Sequence, residues 1–411
     1  MQTHGFSNEN WMGILAMHDP TIKLRNIIIP GTHNSASCTI SESKLLSSTA
    51  RCQCLSITEQ LLSGVRFFDL RCGKKGEKST DYGVVHGIMS GGSILQIFNE
   101  IISFAKSHPN EFIIVDLINE HDRRLLNHQK ADLFPKLAEM VSGHCVKSSH
   151  VDCQEFTAQF ACIGKVSFDT RCLLILVDPS FYDFKLGGKT MMGSELQEMG
   201  FFNRRYMMEN KWQREENKIR LLEKNLKFCL EMQNEKGLYI VHQFSFTPDI
   251  QFNIKGIFGL LTKPKKLVVS AKFKELVKDK TLHRFMRENV GLAWNIVWFD
   301  FLNTVPVLVD FMIGVNFPYP LVIKRASVNV KGDFFDRTQE CRGLVSRENT
   351  LFLVDIGKDL RLDGWDFDLL RLEIEYRFGE EYLGFVGTTD VTLKKEDMFL
   401  LNFPKIVTKF I

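Results

Sequence analysis

Short apolar runs recur along the chain, and each ends in a polar or ionisable residue. Asn26–Pro30 leads into Gly31-Thr32-His33-Asn34, Val65–Leu70 into Arg71, Gly83–Val85 into His86, and Phe112–Val115 into Asp116. Further on, Leu173–Val177 leads into Asp178, Leu238–Val241 into His242, and Asn295–Phe299 into Asp300. Runs of this length without polar alternation read as strands covered on both faces. Between them the period changes to three and four. Ile94, Ile97, Phe98, Ile101, Ile102 and Ala105 share one face of a predicted helix over Ile94–Lys106. Asn210–Met232 carries Ile219, Leu222, Leu226 and Leu230 against a charged opposite face. Strands alternating with amphipathic helices predict parallel βα units, and their number favours a closed barrel over an open sheet. In a parallel barrel the C-terminal strand ends converge on one mouth, so the residues closing these runs become the candidates for chemistry.

Beyond Lys324 the texture changes. Ala326–Val330, Thr350–Asp355, Leu370–Phe378 and Tyr382–Thr389 are β-rich pieces separated by Gly and Asp turns, with no long helix between them. The expected division is an α/β barrel over residues 1–324 and a small antiparallel β-sandwich over 325–411. Val290–Ile323 has the length of a membrane span, but Gly291, Pro306, Gly314, Pro318 and Pro320 interrupt it and Asp300 and Asp310 lie inside. A buried strand, a rim loop and a helix account for it.

Composition narrows the function classes. Of 411 residues, 52 are Lys or Arg and 49 are Asp or Glu, and the resulting net charge of +3 argues against nucleic acid as a partner. With 44% hydrophobic and 25% charged residues, global disorder is excluded. Ten Cys are scattered without paired CxxC spacing, and the start of the chain is polar. Free thiols in a reducing, cytoplasmic compartment are therefore expected. The 34 Phe against 7 Tyr are enough to fill a large core and leave aromatic surface for another purpose.

Among the strand-end residues, His33, Arg71, His86 and Asp300 form a coherent set for phosphoryl transfer. Two imidazoles supply a base and an acid near neutral pH. A guanidinium offers a fixed charge and forked donors to a phosphate. A carboxylate holds one imidazole in a single tautomer and stabilises its cation. The set requires no metal.

These residues carry a resemblance. Ile29-Pro-Gly-Thr-His-Asn-Ser35, Gln60-Leu-Leu-Ser-Gly-Val-Arg-Phe-Phe-Asp-Leu-Arg71 and Val84-Val-His-Gly87 resemble the X domain of phosphatidylinositol-specific phospholipases C. Asn10-Trp11-Met12 and Asn295-Ile-Val-Trp-Phe-Asp-Phe301 are similar to small eukaryotic X-domain-containing proteins. The resemblance covers residues 10–320 and implies a distorted TIM-type barrel that cleaves a phosphodiester in a lipid. It implies His33 as the base on the inositol 2-hydroxyl, Arg71 as the stabiliser of phosphate charge, His86 as the acid toward the leaving oxygen, and Asp300 as the partner of His33. His33-Asn34 is similar to the calcium-dependent enzymes, but their second acid is replaced in Asp69-Leu70-Arg71. Bacterial-type enzymes have Arg there and use no metal, so no metal or other cofactor is expected. Those enzymes have Asp where Asn34 stands; Asn cannot act by charge, and a lower turnover follows. Tyr206 resembles a tyrosine that stacks on inositol. Arg204 replaces an acid two positions before it and favours, as an expectation, a headgroup with further phosphates. Asp69, Asp116 and Asp178 are candidates for touching the substrate, with support of Arg71 or a backbone amide as the alternative for Asp69. For Asp116, Glu120 and Asp178 the alternative is bonding within the rim.

A lipid substrate demands a membrane surface. Gln251–Leu267 interleaves Phe252, Ile257, Phe258 and Leu260 with Lys263 and Lys265, the composition of an interfacial segment on anionic lipid. The chain is thus read as a cytoplasmic, peripheral enzyme on a phosphoinositide or related phospholipid, with no protein partner specified. Two rival readings stand beside it. Glycerophosphodiesterase-type enzymes need an acidic metal pair that Arg71 breaks. A catalytically weak X-domain protein would act as a lipid- or protein-binding module.

Overall fold

The computed structural model describes residues 7–41, 50–147, 161–167, 171–182, 184–211, 217–235, 238–245, 277, 280–289, 292, 294–317, 321–345, 351–362, 365, 367, 369–378, 385–394, 397–401 and 406–407. The chain forms two compact units, one of Ser7–Glu275 with Ala293–Val305, the other of Met1–Phe6, Leu276–Leu292 and Pro306–Ile411. The proposed membrane segment, with Phe252, Ile257, Phe258, Leu260, Lys263 and Lys265, lies outside the described residues.

The first unit is built on β1 (Ile29–Thr32), β2 (Phe67–Lys74), β3 (Tyr82–His86), β4 (Met89–Ser90), β5 (Ile113–Asn119), β6 (Leu173–Val177), the small hairpin β7 (Lys185–Leu186) and β8 (Lys189–Thr190), β9 (Phe201–Asn203), β10 (Met208–Asn210), β11 (Tyr239–Phe244) and β12 (Ile296–Phe299). Eight strands run parallel in the order β10-β11-β12-β1-β2-β5-β6-β9. The curled sheet has its break between β9 and β10, at the turn Arg204–Tyr206. This is the distorted parallel barrel that the apolar runs imply. β1, β6, β11 and β12 are buried throughout, as strands covered on both faces must be. The helix at Ile94–Ser107 buries the face read from its period, with Ser93 as its N-cap.

One run behaves differently from the expectation. The pattern predicts Gly83–Val85 as another parallel strand, but β3 pairs antiparallel with β2, with Cys72 opposite Val84 and Lys74 opposite Tyr82. Only residues 75–81 join the two strands. A parallel crossover takes a dozen residues or more, so the chain must turn straight back. This return brings His86 down beside Arg71 instead of out on a separate barrel strand.

The second unit contains β13 (Leu321–Val330), β14 (Asp333–Asp336), β15 (Leu351–Leu353), β16 (Leu369–Phe378), β17 (Phe385–Lys394), β18 (Phe399–Leu401) and β19 (Ile406–Val407). They form antiparallel sheets β14-β13-β16-β17 and β15-β18-β19. Ile323, Val328, Leu372 and Ile374 from one sheet share a core with Leu351, Leu353, Phe399 and Leu401 from the other. Alternation along β13 slips at Lys324 and Arg325, both exposed, where the register with β16 shifts. The boundary expected at residue 324 falls within this strand. Val290–Ile323 resolves into β12, a short turn at Leu302–Thr304, the helix Pro306–Gly314 and the start of β13. Among the described residues no helix is long and apolar enough to cross a membrane, and no described cysteine forms a disulfide.

Candidate active site

β1 carries the motif into the site. A Cβ on Gly31 would stand 3.0 Å from Phe67 Cδ1 and 3.3 Å from Trp298 Cβ, so only glycine lets β2 and β12 close on β1. The next residues leave the strand. Asn34 takes left-handed φ 47° and donates its backbone N–H to Asp69 Oδ2 at 2.9 Å. Phe301, just after Asp300, is also left-handed at φ 51°. Asn is among the few residues that accept this conformation and Phe is not, so the surrounding structure must hold the second turn. Gln53 does much of this. Its Nε2 donates to His33 O at 3.0 Å and Phe299 O at 2.7 Å, while its Oε1 accepts from Leu302 N at 3.1 Å. Gln60, inside the motif, donates to Ser35 O and accepts from Thr32 Oγ1.

The set read from the strand ends converges. His33 Nδ1 lies 2.7 Å from Asp300 Oδ1, and both residues are buried. Arg71 Nη2 lies 3.0 Å from His33 Nε2. The His33 and His86 rings are 6.3 Å apart between centroids, edge to face, and Trp298 packs on His33 at 5.3 Å. His86 Nδ1 lies 2.7 Å from Ala50 O. A carboxylate and a carbonyl accept only, so both Nδ1 atoms carry hydrogens, and His33 Nε2 then accepts from Arg71 and from Asn34 Nδ2 at 3.4 Å. Burial and the neighbouring Arg71 charge push the His86 pKa down to about 3. Burial works to lower the Arg71 pKa, but Asp69 at 3.5 Å and Glu120 at 3.6 Å outweigh it and hold the guanidinium firmly charged.

The remaining candidates divide. Asp69 Oδ2 lies 3.5 Å from Arg71 Nη2 and accepts from the Asn34 amide. Asp116 is fully buried in register with Asp69, and Arg204 Nη2 lies 3.1 Å from its Oδ2. Burial raises the Asp116 pKa to about 7 against the pull of Arg204. Asp178 caps its own turn by accepting from Ser180 N. Tyr206 is 75% exposed. His242, which also closes an apolar run, does not join the site: it is fully buried beside Phe228 and Trp294. Gln53 and the Ala50 carbonyl were not found by sequence reasoning, and no local pattern marks them; Trp298 entered only within the motif Asn295–Phe301, with no role.

Two cation arrangements can be tested on this geometry. Asp69 and Glu120 are held by Arg71, which places a fixed positive charge where a hard divalent ion would need them. The donor atoms of His33, Cys52 and Asp300 lie within 4.8 Å of one another. Yet the 2.7 Å between Nδ1 and Oδ1 is a hydrogen-bond distance, well short of the roughly 3.3–3.5 Å between two ligand atoms bonded at about 2.0–2.2 Å to a tetrahedral ion. Neither arrangement fits a resident metal.

Comparison with known proteins agrees with this geometry. Residues 27–141 match the family model "Phosphatidylinositol-specific phospholipase C, X domain". The chain is 31% identical over 131 residues to human PI-PLC X domain-containing protein 2, covering 26% of this chain and 43% of that protein. It is 28% identical over 145 residues to PI-PLC X domain-containing protein 3 of Danio rerio, covering 29% and 45%. The matches thus span less than half the length of these relatives. Among solved structures, phosphatidylinositol-specific phospholipase C from Listeria monocytogenes superposes with a TM-score of 0.53 at 16% identity, over 75% of this chain and 98% of that one. A single-site mutant of the phosphatidylinositol-specific phospholipase C from Staphylococcus aureus gives 0.51 at 14% identity, over 74% and 96%. The likeness to these structures shows the fold, and the sequence match shows that residues 27–141 are similar to the X domain of phosphatidylinositol-specific phospholipases C.

Proposed function

We propose that this protein is a phosphoric diester hydrolase that cleaves phosphatidylinositol-type lipids at a membrane surface, as a peripheral enzyme. The observation that carries the reading is the chain of contacts Asp300–His33–Arg71, a charge-supported imidazole beside a guanidinium. His33 Nε2 takes the proton of the inositol 2-hydroxyl, and that oxygen attacks phosphorus. Asp300 stabilises the imidazolium that forms. Arg71 faces the charge that grows on the non-bridging oxygens. The bond from phosphorus to the glycerol oxygen breaks, and His86 delivers a proton to that oxygen, releasing diacylglycerol and a cyclic inositol phosphate. Water, activated by His86 as base, then opens the ring, with His33 returning its proton to the 2-oxygen.

The free protein holds His86 neutral, so it must take up a proton as substrate binds. A phosphodiester anion beside Arg71 offsets the charge that disfavours the imidazolium. The assay is turnover of phosphatidylinositol vesicles in the presence of chelator by wild type, His33→Ala and His86→Ala. The expected result is a cyclic inositol phosphate from wild type and loss of at least about a hundredfold in each variant. Equal release by all three proteins would sink the assignment.

A further inference from the structure

We propose that the Asp116–Arg204 pair selects the headgroup, admitting a singly charged phosphodiester bearing hydroxyls and rejecting headgroups with additional phosphates. The inference rests on the function proposed above and reverses the expectation drawn from Arg204 in the sequence. A guanidinium at a barrel mouth reads as a phosphate receptor only when its charge is available. Arg204 is not available: its Nη2 stands 3.1 Å from Asp116 Oδ2, with 18% of the Arg204 side chain exposed and none of the Asp116 side chain. Drawing Arg204 away to a phosphate would strand a buried carboxylate without its counter-charge.

Arg71 is in a similar position between Asp69 and Glu120. Above about pH 7, where Asp116 is ionised, three carboxylates thus surround two guanidiniums before any substrate arrives. The single charge of a phosphodiester is met by Arg71, but a phosphomonoester brings about two further charges into a region already negative.

The same carboxylates suit hydroxyls. Beyond their ion pairs, Asp69 Oδ1, both oxygens of Asp116 and Glu120 Oε2 are buried and lack a well-aligned hydrogen-bond donor among the described residues. Asp116 lies opposite Asp69 in the parallel register, so the two side chains leave the same face of the sheet. Buried acceptors of this kind are satisfied by hydroxyl donors, which an uncharged polyol supplies and a phosphomonoester replaces with more acceptors.

The test compares wild type, Asp116→Asn and Arg204→Gln. Binding of inositol 1-phosphate and inositol 1,4-bisphosphate is measured by calorimetry, and turnover is measured on vesicles of phosphatidylinositol and of its 4-phosphate. Wild type should favour the less phosphorylated member of each pair by roughly tenfold or more, the scale of one poorly screened charge. At about pH 8, where the wild-type Asp116 carboxylate is ionised, Asp116→Asn frees the guanidinium and should narrow that ratio. Arg204→Gln removes the counter-charge, so the buried Asp116 takes up a proton, the pair stays uncharged, and the ratio should stay close to that of wild type. Narrowing confined to Asp116→Asn separates headgroup selection from general damage, and the wild-type ratio tests the proposal even if a variant does not fold. Preference of wild type for the bisphosphate, a ratio that Asp116→Asn does not narrow, ratios that move alike in both variants, or no binding of either headgroup overturns the proposal. The expected binding ratios without cleavage of either lipid would instead overturn the hydrolase reading and leave headgroup selection standing.

Discussion

His33, His86 and His242 all close apolar runs, yet their surroundings give them different chemistry. His33 touches a carboxylate on one ring nitrogen and a guanidinium on the other. His86 is anchored through Nδ1 to a carbonyl and held neutral, with its pKa near 3. Burial pushes His242 down to about 3 as well, and neither of its nitrogens has a hydrogen-bond partner among the described residues. His86 therefore separates the free protein from the substrate complex. In the free protein it gains a proton only near pH 3; under the proposed mechanism a phosphodiester beside Arg71 would raise that pKa. The alkaline limb of kcat/KM should lie at lower pH than the alkaline limb of kcat, since the first reports the free enzyme and the second the complex. Coincident limbs in the two pH profiles would rule this out. His33 and His86 were legible as candidates because a polar residue closing a buried strand stands out. The distinction from His242 was not, because it depends on which rings and charges another part of the chain brings alongside.

At the level of elements, the two ends of the barrel are built differently. At the mouth, Gln53, 246 residues before Phe299, ties the ends of β1 and β12 together. Gln53→Leu should cost about 1–3 kcal/mol by taking a donor from two buried carbonyls and leaving the Leu302 amide without its acceptor. It should also lower kcat, because His33 and Asp300 sit on the loops that Gln53 joins. Chemical denaturation and vesicle turnover measure the two effects, and a stability loss with unchanged kcat would count against a positioning role.

At the other end, Arg66 is fully buried. It binds Glu111 and the carbonyls of Asn8, Glu9, Leu61 and Val65, while Glu111 accepts from the amides of Met12 and Gly13. This network fastens the helix Trp11–His18 to the start of β2 and β5. Glu111→Gln should destabilise the protein by about 3–5 kcal/mol, as breaking a buried pair does. Turnover per folded molecule should not change, because the groups at the mouth are positioned without this network. The same two measurements check it, and a selective loss of kcat would refute the separation. Strand return of β3 could be foreseen from its short connection, but Gln53 could not, since its partners lie on strands far away in sequence.

For the whole molecule, a net charge of +3 conceals opposed titrations at the mouth. His86, with its folded pKa depressed, contributes stability that is present above its unfolded value of 6.5 and lost as pH falls toward 3. Asp116, with its folded pKa raised, contributes stability that is present below its unfolded value of 3.8 and lost as pH rises through about 7. Asp116→Asn should therefore gain stability relative to wild type between about pH 5 and about pH 8. Denaturant midpoints at these two pH values test the sign, and a difference that shrinks at the higher pH would contradict it. The amino-acid order was enough to establish a barrel followed by a β-rich unit and to single out His33, Arg71, His86 and Asp300. Hydrophobic period and strand-end position are local properties, readable along a line. The Gln53 tie and the pairing of Arg204 with Asp116 came only with the folded chain. Each depends on distance and burial between residues remote in sequence, and those fix whether a charge is free or already matched.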